Sequence, residues 1–180
     1  VLYGGAGNDW LFGWGGNDVL DGGNDDDIAF GGTGDDVILG GTGADVLTGD
    51  EGEVTEKPGV DFLDGGDGAD KLYGNGGDDV LLGGAGDDLL DGGAGNDMIV
   101  GGAGKDELRG GAGRDTYLFN LGDGVETIHD TDANAILNAE DRSIVVFGEG
   151  VTPQMVTFRL GSLMIDLGNG DQIHFADFNP

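Results

Sequence analysis

The chain has 180 residues, with 36 Asp and Glu against 7 Lys and Arg, and a formal net charge of -29. That balance excludes a grip on nucleic acid, whose phosphates attract Lys and Arg, and the absence of cysteine excludes disulfides and thiolate chemistry. Gly accounts for 42 residues, and so acidic and Gly-rich a chain stays disordered unless something neutralises its carboxylates.

The first residues, Val1-Leu2-Tyr3, read as a strand entered from upstream, so the sequence is expected to be a piece of something longer. From Gly4 a nine-residue unit repeats. Asp9, Asp18, Asp27, Asp36 and Asp45 lie nine apart, and the beat resumes at Asp61, Asp70, Asp79, Asp88, Asp97, Asp106 and Asp115. Each Asp closes a Gly-rich hexapeptide, as in Gly83-Gly84-Ala85-Gly86-Asp87-Asp88, and precedes a triplet such as Leu89-Leu90-Asp91. Position 8 of the unit reads Leu11, Leu20, Ala29, Ile38, Leu47, Leu63, Leu72, Leu81, Leu90, Ile99, Leu108 and Tyr117. The triplet is a minimal strand, with position 8 facing one way and positions 7 and 9 the other. Alternating Gly residues let the loop curl through positive φ and aim successive carbonyls inward. Two loops and two strands make one coil of 18 residues, so repeat n is expected on repeat n+2, with Asp9 under Asp27 and Asp27 under Asp45. Calcium takes six to eight oxygen ligands at about 2.3–2.6 Å from carboxylates and carbonyls together, more than one hexapeptide supplies.

Three loops depart from the pattern. Asp25 stands where Gly is expected at position 4, and Trp14 and Asn75 replace the second Gly of their repeats. Asp and Asn tolerate positive φ better than most residues; Trp has no such excuse. The sixth loop opens at Gly49 and resumes near Gly59-Val60-Asp61, so residues 50–58 are read as a protruding acidic insertion, with Asp50, Glu51 or Glu53 as alternative local carboxylates.

The unit G-G-x-G-x-D-x-U-x, with U a large apolar residue, resembles the calcium-binding nonapeptide of the RTX (repeats-in-toxin) hemolysin-type family. The resemblance covers residues 4 to 118 and implies an all-β fold, a right-handed parallel β-roll that is a β-solenoid of 18-residue coils. It also implies the ligands. In such rolls calcium lies between stacked loops, held by carbonyls 2 and 4 and the Asp of the lower loop and by carbonyls 1 and 3 and the Asp of the upper. One site is then Gly66, Gly68 and Asp70 below with Gly83, Ala85 and Asp88 above. Carried along the chain, the other lower carbonyls are those of Gly5, Gly7, Gly16, Gly32, Gly34, Gly41, Gly43, Gly77, Gly84, Gly86, Gly93 and Gly95. The upper ones are those of Gly22, Asn24, Gly31, Thr33, Gly40, Thr42, Gly65, Asp67, Gly74, Gly76, Gly92, Ala94, Gly101, Ala103, Gly110 and Ala112. All twelve Asp of the beat are candidate ligands, and two stacks of six loops leave room for ten ions at most. Roughly eight to ten divalent ions would bring the charge near -10. One large apolar residue per nine is too thin a core to order the chain alone, so metal binding is expected to be part of folding.

Outside the loops, the even-numbered repeats carry an apolar outer face: Val19, Val37, Phe62, Val80 and Met98 with Leu39, Leu82, Val100 and Leu118. The odd-numbered repeats expose Trp10, Phe12, Ile28 and Phe30 early, then Lys71, Asp91, Glu107 and Arg109. A large exposed patch implies a partner, and the expectation is that the C-terminal segment covers the even face. From Thr116 the beat disappears. Residues 116–120, 125–129 and 143–147 read as strands and residues 132–140 as loop or a single helical turn. Residues 155–160, 163–167 and 172–175 read as an antiparallel meander with turns at Gly161-Ser162 and 168–171. Asp115-x-Tyr117-x-Phe119, Gly122-Asp123-Gly124 and Phe147-Gly148-x-Gly150-Val151-x-Pro153 resemble the hemolysin-type calcium-binding-related domain that follows RTX blocks. The domain reading is therefore 1–119 calcium-binding roll and 120–180 C-terminal β cap, which repeat arrays need to shield their last coil.

Other chemistries fail on particular residues. Gly104-Lys105 is followed by Asp106 where a phosphate-binding loop needs Ser or Thr, and the Gly period of nine is not collagen's three. An ice-binding roll would want a regular Thr ladder at position 3, where only Thr33 and Thr42 stand, and there is no Asp-Pro bond for self-cleavage. His129 and His174 are isolated strand residues, and the Asp residues are accounted for as ligands, so no catalytic residue is assigned. No apolar run of 18 residues and no N-terminal signal peptide is present in these residues. The resemblance implies a module secreted to the outside or cell surface of a Gram-negative bacterium through type I secretion machinery, with its signal expected beyond Asn179-Pro180. Membrane or cell-surface partners would come through the parent protein, which is read as toxin-like, or else as an adhesin or surface-layer protein, or as a lipase or protease.

Overall fold

A computed structural model of the chain describes residues 1–50, 58–129, 143–148, 151, 157–159, 164–167 and 170–175. Every triplet, extended into the loop that follows, is a strand: β1 (Leu2–Ala6), β2 (Trp10–Gly15), β3 (Val19–Asn24), β4 (Ile28–Thr33), β5 (Val37–Thr42) and β6 (Val46–Asp50). After the insertion come β7 (Phe62–Asp67), β8 (Lys71–Gly76), β9 (Val80–Ala85), β10 (Leu89–Ala94), the long β11 (Met98–Ala112) and β12 (Thr116–Phe119). Then follow β13 (Gly124–His129), β14 (Ile144–Phe147), β15 (Thr157–Arg159), β16 (Met164–Asp166) and β17 (Gln172–Phe175). No helix occurs among the described residues.

Pairing skips one neighbour throughout, as the 18-residue coil requires. One parallel ladder runs β1, β3, β5, β7, β9, β11 and β12. The other runs β2, β4, β6, β8, β10 and again β11, which is long enough to serve both sheets. The fold is a parallel β-solenoid. Its interior is two facing columns of position-8 side chains, Leu20–Ile38–Leu63–Leu81–Ile99–Tyr117 and Leu11–Ala29–Leu47–Leu72–Leu90–Leu108, none more than 4% exposed. Each repeat thus contributes a single side chain to the interior.

The insertion leaves register intact. Across it Asp36 and Asp61 are 25 residues apart rather than 18, yet Val37 still pairs with Phe62 and Ile38 with Leu63. Asp50 was expected in an exposed acidic loop; it is instead 7% exposed and closes the neck of the insertion. Its carboxylate accepts the Gly59 N–H at 2.8 Å and its carbonyl accepts Asn75 Nδ2 at 2.7 Å. Glu51 and Glu53 lie outside the described residues.

The sequence beat ends at Asp115, but the stacking does not. β13 lies parallel on β11 with Ile128 over Leu108, β14 on β12 with Val145 over Tyr117, and β17 on β13 with Phe175 over Ile128. β15, β16 and β17 form the expected antiparallel meander. The described C-terminal strands therefore continue the two sheets at the end of the roll and do not cover the even face, where Val19 and Met98 remain 37% and 38% exposed. An open ladder end presents unpaired N–H and C=O groups, and satisfying them outweighs burying a half-covered apolar face. Residues 132–140 and the turn at Gly161-Ser162 fall outside the described residues.

Candidate metal centres

The repeat loops stack along the roll in two columns, and the Asp side chains run down the middle of each. In one column Asp9, Asp27, Asp45, Asp70, Asp88 and Asp106 are linked, each Oδ1 accepting the backbone N–H of the Asp one coil earlier at 2.7–3.0 Å. The second column, Asp18, Asp36, Asp61, Asp79, Asp97 and Asp115, is built the same way. Asp27 through Asp115 are at most 3% exposed.

Between two stacked loops, oxygens converge from both sides. Around Gly65, a methyl group in place of hydrogen would sit 2.5 Å from Asp70 Oδ2 and 2.6 Å from the Gly83 carbonyl oxygen. The Gly66 and Gly68 carbonyls point up at Gly84 and Gly86, and Asp88 Oδ1 and the Ala85 carbonyl face down at the Asp70 and Gly68 amides. The six groups of the Gly66–Gly68–Asp70 and Gly83–Ala85–Asp88 set thus line one gap. The same arrangement recurs along both columns, with position-1 carbonyls of Gly22, Gly31, Gly40, Gly92 and Gly101 turned toward the loop below. The position-3 carbonyls of Thr33, Asp67, Ala94, Ala103 and Ala112 also face downward, but each already accepts an amide N–H of that loop at 2.7–2.9 Å. Where a position-2 or position-4 Gly has a loop beneath it, the carbonyl of that loop takes the space of a Cβ, as at Gly86 over Gly68. Trp14, Asp25 and Asn75 adopt the same left-handed backbone, with φ of 74°, 73° and 70°. Trp14 fits because its side chain points outward, 76% exposed, and stacks on Phe12 at 5.8 Å.

The electrostatics of this arrangement are unfavourable without a cation. The second oxygens of Asp9, Asp27, Asp36, Asp45, Asp61, Asp70, Asp79, Asp88, Asp97 and Asp106 are buried and meet no hydrogen-bond donor. Burial holds Asp61, Asp70, Asp97 and Asp106 at about 7 and Asp79 at about 8, the amide hydrogen bond opposing the shift and neighbouring Asp charges adding to it. A buried, unpaired carboxylate is costly. Ten orphan oxygens beside inward-turned carbonyls form an all-oxygen donor set of the kind that suits calcium, whereas zinc takes nitrogen and sulfur as well. The residues present fit calcium.

Two residues that sequence reasoning passed over complete the column ends. Residues 121–126 form a thirteenth loop, with Gly122 and Gly124 at φ of 104° and 107° and Glu126 paired across from Asp106. Its signal was legible as Gly122-x-Gly124-x-Glu126-x-Ile128, but Glu replaces Asp and the spacing from Asp115 is eleven rather than nine. Glu126 is 2% exposed, and burial with the charges of Asp106 and Asp123 pushes it up to about 10. On the other column Ser143 Oγ accepts the Asp115 N–H at 3.0 Å, where a carboxylate stands in every earlier coil. His129 and His174 lie on outer strand positions beside Glu107 and Gln172, at 3.3 and 3.2 Å.

The family model of the RTX calcium-binding nonapeptide repeat (4 copies) matches residues 1–29, 21–53, 58–90, 82–117 and 91–126. No curated protein matches the chain. Among solved structures, the extracellular lipase LipA from Serratia marcescens is similar at 19% identity and a TM-score of 0.35, over 91% of this chain and 38% of that one. This chain thus spans well under half the length of that lipase, and the likeness is too loose to carry fold or function across.

Proposed function

Since this chain belongs to the RTX calcium-binding nonapeptide-repeat family, we propose that it is a module that folds when calcium fills the gaps between its stacked loops. The ligands in this reading are the twelve Asp of the beat with the position-1 to position-4 carbonyls, for about ten ions. One observation carries it: ten Asp, divided between two columns, whose buried second oxygens meet no donor. Calcium supplies the charge that lets those carboxylates be buried ionised. The chain's own residues hold the ion, space the coils and exclude water beneath the inner Leu and Ile columns.

The same reading assigns the module to a secreted protein of a Gram-negative bacterium. A chain of net charge -29 stays unfolded where calcium is scarce and can thread a type I channel; outside, sites with affinities of roughly 10⁻⁴–10⁻³ M fill. Residues 1–119 are then the roll and residues 120–180 a C-terminal cap of the hemolysin-type calcium-binding-related kind, a reading supported by β14 and β17 lying on the roll's last strands. The parent is proposed to be toxin-like. A surface adhesin is favoured by one feature, the outer aromatic patch in which Phe12 stacks on Phe30 at 5.3 Å with Trp10 67% exposed beside it. A lipase or protease parent would place its catalytic domain upstream of Val1.

Far-UV circular dichroism through a calcium titration tests the reading. A cooperative coil-to-β transition is expected in the sub-millimolar to millimolar range, and magnesium should not reproduce it, since it demands octahedral geometry and sheds water reluctantly. Equal structure in excess chelator would overturn the proposal.

A further inference from the structure

The gap above the last repeat loop of the Asp9 column is closed from above by residues outside the repeat. Elsewhere in this column the point beside each position-1 Gly is shared by two oxygens, the Asp Oδ2 of that loop and the position-1 carbonyl of the next. They are Asp70 and Gly83 around Gly65, and Asp88 and Gly101 around Gly83. Around Gly101 the first oxygen is in place, Asp106 Oδ2 lying 2.6 Å from where a methyl group would sit. The second is not a carbonyl but Oε2 of Glu126. Register explains the exchange. Pairing with the thirteenth loop begins only at Gly104 and Gly124, and Gly122 has no atom of another loop within 4 Å of its Cβ direction. The Asp123 carbonyl still accepts the Gly104 amide at 2.8 Å, so it is the position-1 carbonyl of that loop that is missing from the gap. Glu, one methylene longer than Asp, reaches the place the carbonyl holds in the other gaps.

A second observation is independent of that geometry. Both Glu126 oxygens are buried without a hydrogen-bond donor, as is Asp106 Oδ2, and the two residues are each 2% exposed. The repeat Asp residues use Oδ1 to hold an amide; Glu126 uses neither oxygen so. The two carboxyl groups meet each other, and Glu126 Oε2 and Asp106 Oδ2 face one space, with the Gly104 carbonyl directed upward at Gly124 beside them. Calcium readily takes a Glu carboxylate through both oxygens.

We propose that Asp106 and Glu126 hold a calcium ion beyond the ten that twelve repeat loops allow, with Glu126 bound through both oxygens. This terminal site rests on the calcium-folding reading above and extends it to the C-terminal segment. It fastens β13, and through it β17, to the roll, so the last coil is closed by a metal as well as by hydrogen bonds.

Counting bound calcium by native mass spectrometry at saturating calcium on the full chain tests the site. Glu126→Gln should carry one ion fewer than the unaltered chain while keeping its β signal. Glu126→Ile, which matches Ile173 in the next layer and leaves no buried amide to satisfy, should lose the same ion and serves if the Gln variant does not fold. An unchanged count in either folded variant overturns the site. An unaltered chain that binds no calcium would instead overturn the calcium reading itself, so the two failures are distinct.

Discussion

Replacing Asp88 by Asn should raise the calcium concentration at the folding midpoint about twofold, and the size of that effect follows from where its two oxygens point. Oδ1 takes the Asp70 amide at 2.8 Å in the gap below, and Oδ2 lies beside Gly83 and the Gly101 carbonyl in the gap above. One substitution therefore weakens two gaps. A charge-assisted contact contributes on the order of 2 kcal/mol, so the loss is about 4 kcal/mol in total. If about ten ions bind cooperatively, each ion carries about 0.4 kcal/mol of it, a factor of about 2 in midpoint concentration. Asp115→Asn makes the internal control. Its Oδ1 serves the Asp97 amide, while above it Ser143 stands in for a carboxylate, so a single cation gap is touched and the same arithmetic gives about 1.4-fold. Circular dichroism titrations of both variants beside the unaltered chain read the difference. An Asp115→Asn shift as large as that of Asp88→Asn would refute the assignment of mid-column carboxylates to two gaps each.

Acid should weaken calcium binding. Buried Asp61, Asp70, Asp97 and Asp106 at about 7 and Asp79 at about 8 stand above the ordinary 3.8 of the unfolded chain. The metal-free roll thus takes up protons on folding; its own stability is full below about 4 and lost as pH rises through about 7 to 8. Calcium must displace those protons, so its midpoint should climb as pH is lowered from about 8 to about 6, and a pH-independent midpoint in titrations read by circular dichroism would count against the buried columns. Gly86→Ala drives a Cβ into the Gly68 carbonyl at φ 141° and should raise the midpoint several-fold. Gly7→Ala at φ 96° meets nothing within 4 Å, so only left-handed strain of about 1–2 kcal/mol is added; comparable shifts in the two variants would contradict the stacking.

The repeat region was legible because one beat encodes three things at once. Asp, Gly and position 8 fix the loop, its curl and the inward face, and the alternate-coil pairing of Leu20 with Ile38 follows from chain length per turn. The insertion was legible as an interruption, but not that Asp50 would turn inward, because a carboxylate accepting the Gly59 amide looks in sequence like any acidic loop residue. The continuation past Asp115 was hidden for a physical reason. Parallel stacking needs only an inward apolar residue and a free ladder edge, so Val145 joins its column without the loop motif, and Ile128 joins after a Gly122-x-Gly124 loop whose spacing departs from the beat. Glu126 was missed with them, since a motif defined on Asp every nine residues does not register a Glu at a spacing of eleven.

Because each coil rests on the one two repeats away, the roll has two kinds of side, and every nonapeptide belongs to one of them by parity. Removing a single unit, such as residues 31–39, would bring Phe62 and Val80 onto the flank that carries Trp10, Phe12 and Ile28, and would swap every later residue to the opposite side. Removing a pair would shorten the rod and change nothing else. Length in such a chain is therefore free to vary only in steps of two, and a lineage that gained or lost an odd number would have had to remake its surface.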